Sequence, residues 1–250
     1  MYSIALRALR ANIVWLLIAA AISTGLGISR GLSFARGGLI AVEIFLWVIT
    51  MEVFLRTMLL GAPPPLFRRP PDPAVRVENR DTFRDLYLAG SLIQGLALLL
   101  GIVVAVKVGR MGTLGPDARA LVILAITGAT KGVALLLLGS ALPGAITGTS
   151  TGLKAALRRA PGLAPGLAWR LLVGPGLVFV AILAATAALT WLWLDVLGLP
   201  GEKIDLGNLA PIVLVFVNSL LAWLPTAFVA AALAVVWQHS EGSSTGSGAS

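Results

Sequence analysis

The chain has no cysteine and a single histidine, His239, among its 250 residues. Disulfides, thiolate metal sites and cysteine nucleophiles are therefore excluded, and one histidine cannot assemble a metal cluster. Charge is also scarce. Charged residues make up 12% of the chain, against about 25% in soluble domains. Two motifs that would announce an enzyme, H-E-x-x-H and G-x-x-x-x-G-K-[ST], are missing. Period-two alternation over ten-residue segments is missing too, which argues against a β-barrel. No cofactor is expected from these residues.

What fills the chain is apolar. Hydrophobic residues reach 58% and the mean hydropathy is +0.93, laid out in long runs instead of alternating patterns. In lipid every backbone polar group must be satisfied within its own segment, so such runs predict transmembrane helices. Six spans are expected, over residues 11–28, 37–60, 85–108, 118–142, 166–197 and 209–238. The predicted fold class is all-α: a polytopic transmembrane bundle forming one domain, 1–241, with a Gly/Ser/Thr-rich linker over 242–250. The first run follows Arg7 and Arg10 like a signal peptide, but its length and lack of a cleavage site favour a retained span.

The formal net charge is +8, and the loops explain it better than a nucleic-acid partner does, so no nucleic acid is expected. Twelve Lys and Arg lie in the N-terminal tail, in the second and fourth loops or at the span ends beside them. Six lie on the other side, which with Lys131 accounts for all 19. The positive-inside rule then puts both termini in the cytoplasm. The second loop, 61–84, holds six prolines and predicts irregular or polyproline II backbone. In the fourth loop, residues 153–160 predict a short cytoplasmic interfacial helix ended by Pro161, with Leu153, Ala156, Leu157 and Ala160 on one face. Lys154, Arg158 and Arg159 would meet anionic lipid headgroups. Trp169, Trp191, Trp193 and Trp237 fall near span ends, while Trp15, Trp47 and Trp223 sit deeper, between helices.

Among the ionisable residues inside the expected spans are Glu43, Glu52, Arg56 and Lys131. An intramembrane charge normally faces a partner, a cavity or the bundle interior. Glu52 and Arg56 are four apart and share a helix face, so they can pair. At about 1.5 Å per residue Lys131 lies roughly 18 Å deep, bracketed by Glu43 at about 9 Å and Glu52 at about 23 Å. Either carboxylate could neutralise it as an interhelical salt bridge. The alternatives are an ion or proton relay and a site for an anionic headgroup, with Asn218 and Gln94 able to join by hydrogen bonding. Ser140, Thr149, Ser150 and Thr151 cluster nearby, but no histidine can activate them.

From the fourth span onward the chain resembles a known group. Lys131, then Ala141-Leu142-Pro143-Gly144, then Leu153-Lys154-Ala155-Ala156-Leu157-Arg158-Arg159, and the closing Ala231-Ala232-Leu233-Ala234-Val235-Val236-Trp237 are similar to the membrane domain attached to some bacterial glycerophosphodiester phosphodiesterases. They also resemble stand-alone six-span inner-membrane relatives of that domain, and the resemblance implies a multi-pass protein of a bacterial cell inner membrane. Ala160-Pro161 stands where a serine would be usual. The resemblance is to the membrane part and implies no phosphodiesterase activity. The function expected is thus non-enzymatic: a multi-pass scaffold, accessory subunit or lipid-interacting module, whose partners are anionic membrane lipids and a membrane protein or second copy. The alternative is a small transporter or channel with a polar path lined by Glu43, Glu52, Lys131 and Asn218. An intramembrane enzyme acting on lipids is a third.

Overall fold

The structure, a computed structural model, describes residues 1–31, 36–61, 73–110, 115–148, 153–192 and 209–246. Among them every regular element is helical: α1 (Tyr2–Ala11), α2 (Ile13–Gly31), α3 (Arg36–Leu60), α4 (Pro73–Arg110), α5 (Pro116–Leu138), α6 (Ala141–Thr147), α7 (Leu153–Leu171), a π-turn (Leu172–Gly176), α8 (Leu177–Trp191) and α9 (Leu209–Gly246). Three stretches are long and apolar enough to cross a membrane: Arg84–Val108, Leu153–Leu189 and Ile212–Ser240. Two bent pairs raise the number to five, α1 with α2 at 78° and α5 with α6 at 44°. The described residues therefore hold three to five candidate spans where six were expected. The remaining stretch, α3, has 25 residues and is not among these candidates.

The chain divides into two compact units, Met1–Pro64 with Arg170–Ala232, and Pro65–Trp169 with Leu233–Ser250. In the first, α1, α2 and α3 pack on one another. Its core holds Leu16, Val48, Met51, Phe54 and Leu55, each at most 1% exposed. In the second, α4 packs against both α5 and α6, burying Leu86, Ile93 and Leu142. Glycine makes the close approaches there. A Cβ on Gly101 of α4 would come within 2.7 Å of the Thr127 hydroxyl of α5, and one on Gly139 within 2.8 Å of Leu233 Cδ2. Without side chains at those points the helix backbones come nearer and dispersion contacts multiply.

Several element boundaries differ from those expected, each for a local reason. The first span is preceded by a helix, since α1 ends at Asn12, whose backbone leaves helical geometry at φ −117° and ψ 25°. The proline loop is shorter than 61–84, because α4 already begins at Pro73. Proline suits a first helical position, where its missing N–H costs no bond. Pro63, Pro64, Pro65, Pro70 and Pro71 lie outside the described residues, as do Trp193 and 247–250. Pro161 does not end the interfacial helix. α7 runs through it and Pro165, because both prolines sit on the exposed side, opposite the buried stripe of Ala156, Ala160 and Leu167. The carbonyls they leave without a helix partner, those of Leu157 and Pro161, belong to residues that are themselves exposed. Of the residues expected on one apolar face, Ala156 and Ala160 are buried and Leu157 is 49% exposed. The Ala141–Gly144 motif forms the first turns of α6, with Pro143 early enough in the helix to be tolerated. α9 continues to Gly246, because a helix once nucleated adds residues at low cost.

Candidate functional site

Polar side chains tie the first unit together across its helices. Asn12, at the bend between α1 and α2, donates from Nδ2 to the Ala8 carbonyl at 2.8 Å and to Thr57 Oγ1 of α3 at 3.0 Å. Trp15 of α2 donates to Thr50 Oγ1 at 3.1 Å. Both threonines pass their own protons back along α3, to Leu46 O at 2.7 Å and Val53 O at 2.8 Å. On α9, Trp223 donates its indole N–H to Ser23 Oγ of α2 at 3.0 Å. Buried donors and acceptors without partners cost free energy, so in apolar surroundings such pairs fix which helix faces meet. The deep placement expected for Trp15 and Trp223 agrees with these bonds, and Trp47 is 5% exposed.

The expected pairing of Glu52 with Arg56 is present. Arg56 Nε lies 2.9 Å from Glu52 Oε1, with the two side chains 13% and 9% exposed. Glu43 is half-buried. It lies seven residues before Thr50 and fourteen before Thr57, which places it on the α3 face turned to α2. Asn218 of α9 is half-buried, and its Oδ1 accepts no hydrogen bond among the described residues. Lys131 belongs to the other unit. It lies on α5 one turn beyond Thr127 and shares its helix face with Thr127, Ala134 and Leu138. Thr127 meets Gly101, so that face is the one turned to α4, and Lys131 is half-buried on it. Of the five residues expected to form a network, Glu52 and Arg56 are in contact. Glu43 and Asn218 share their unit, and Lys131 does not.

The three cations expected at the lipid surface part company. Lys154 and Arg158 are exposed on α7. Arg159 is half-buried, its guanidinium 4.9 Å from the centroid of the Trp237 ring. Trp237 is 4% exposed, so it is a packed ring and not the interfacial one expected. A guanidinium over an indole face gains from the ring quadrupole, most where water is excluded. That contact explains why Arg159 turns inward while Arg158 does not.

Two features went unread in the sequence. α1 is amphipathic, with Ala5, Ala8 and Leu9 buried and Arg7 and Arg10 exposed. The pattern was legible at helical spacing, but the run of apolar residues on both sides of Asn12 hid the break. The N-terminus is also pinned. The Tyr2 hydroxyl donates to the Val173 carbonyl of the π-turn at 2.5 Å, and its ring meets Phe228 edge-on at 5.6 Å. Met1 packs where a side chain on Gly174 would otherwise stand. Among the described residues no group of three His, Asp or Glu could hold a metal ion. Compared with known proteins, the chain matches no family model, no curated protein and no solved structure.

Proposed function

We propose that this chain is a non-enzymatic, multi-pass protein of a bacterial inner membrane, a scaffold or accessory subunit that holds anionic lipid at its cytoplasmic surface. In this proposal α3 is the sixth span. Its Glu52–Arg56 pair is internally matched, which offsets part of the cost of carrying two charges into lipid. The observation that carries the lipid role is the surface of α7. Lys154 and Arg158 stand exposed one turn apart, on a helix anchored from its other side by Ala156, Ala160 and the Arg159–Trp237 contact. Cations held at the end of a span add about 1 kcal/mol each of attraction to an anionic leaflet. Lys131 belongs to the proposal as a structural charge on the α5 face turned to α4. Both termini lie on the cytoplasmic side with α7. The likeness to the membrane domain of glycerophosphodiester phosphodiesterases is part of the same proposal.

The test compares wild type, Lys154→Gln/Arg158→Gln and Lys131→Met. Mass spectrometry of co-purified lipid should show less phosphatidylglycerol retained by the double variant, with phosphatidylethanolamine unchanged. Lys131→Met should lower the unfolding midpoint in mixed micelles. Ion flux through wild-type vesicles, abolished by Lys131→Met with the unfolding curve unmoved, would replace this proposal with the transport alternative.

A further inference from the structure

The N-terminal helix carries its own lipid-facing chemistry, distinct from that of α7. With ten residues, α1 covers about 15 Å and cannot cross a hydrocarbon core of about 30 Å. α2 has 19 residues, about 28 Å, close to that thickness on its own. The 78° bend lays α1 nearly at right angles to α2. At 100° per residue its surface divides into three adjoining strips. Ala5, Ala8 and Leu9 are buried against the unit. Tyr2 and Leu6 follow, 43% and 53% exposed. Arg10 and Arg7 come next, both exposed. An apolar strip flanked by cations on one side and a packed strip on the other is what a helix in the plane of the interface requires. Asn12 fixes the bend through Thr57, and Tyr2 fixes the far end through Val173. The cationic edge is thereby held in place.

From this geometry we propose that α1 is an in-plane docking surface for anionic phospholipid, with Leu6 in the acyl boundary and Arg7 and Arg10 on the headgroup phosphates. The inference rests on the membrane setting proposed above and adds a second lipid contact on a different unit. The chain lacks cysteine, so Leu6→Cys can carry a single bimane label in the full-length protein. In vesicles of phosphatidylcholine with phosphatidylglycerol, brominated lipid should quench that label, with brominated phosphatidylglycerol the more effective. Arg7→Gln and Arg10→Gln should each reduce this preference by about fivefold, and together by about 25-fold. Quenching by aqueous iodide instead, protection from both quenchers by a covering protein chain, or equal quenching by the two lipids would each overturn the inference. A second label at Leu157→Cys on α7 separates the failures. If position 157 keeps its phosphatidylglycerol preference, only the role of α1 falls. If both positions lose it, the lipid function proposed for the protein falls as well.

Discussion

The two units of this chain hold helices together by different means. In the first, the helices meet through polar side chains: Asn12 with Thr57, Trp15 with Thr50 and Trp223 with Ser23. In the second, the closest approaches described come where side chains are missing, at Gly101 against Thr127 and Gly139 against Leu233. Where lipid is as apolar as leucine, burial gives helices little reason to associate. What remains is hydrogen bonding, which selects a face, and close packing, which rewards a fit. Polar pairs tolerate small errors of packing because a side chain can rotate to keep its bond. A glycine contact tolerates none, since the space it leaves is already filled.

Three substitutions test that difference, beginning with the largest expected effect. Arg56→Met leaves the Glu52 carboxylate without its 2.9 Å partner on a residue 7% exposed, and should cost about 3–5 kcal/mol. Unfolding titrations in mixed micelles would measure it, and adding Glu52→Gln should recover most of the loss. If the single variant were as stable as wild type, the pair would not be holding α3. Next comes Gly139→Ala, whose new methyl group would meet Leu233 and the Leu135 carbonyl. It should cost about 1–3 kcal/mol by overpacking, whereas Gly128→Ala, facing open space, should stay within about 0.5 kcal/mol. Equal effects at the two glycines would end the claim that close packing carries the second unit. Smallest is Thr50→Val, which removes the acceptor for Trp15 while keeping its shape. About 0.6 kcal/mol is expected, the typical worth of an interhelical bond in lipid. A larger loss there than at Gly139 would invert the comparison.

What could be read beforehand follows from range along the chain. The Glu52–Arg56 pair was legible because four-residue spacing fixes a shared face whatever surrounds the helix. The helical class was legible because apolar runs of that length admit few alternatives. Partners far apart in sequence were not legible. Nothing near Tyr2 indicates Val173, 171 positions away, and nothing near Arg159 indicates Trp237, the ring that its guanidinium meets. Proline misled twice in opposite ways. Pro73 opens a helix where a loop was expected, and Pro161 fails to close one, because the cost of proline depends on whether its missing bond falls at a first turn or on an outward face. The bend at Asn12 carried no glycine or proline to mark it.

The seven residues of α6 are shielded along nearly their whole length, from Ala141 to Ile146, and Gly148 closes the helix in a left-handed turn at φ 69°. Such a piece covers about 10 Å, a third of the hydrocarbon thickness, and offers too little greasy length for the insertion machinery to recognise as a stop. In the proposed membrane setting its order of assembly is therefore constrained. α4 and α5 must be threaded first, and α6 settles against them afterwards as a plug. A nascent chain halted just past Leu138 would leave open the face of α4 that α6 covers.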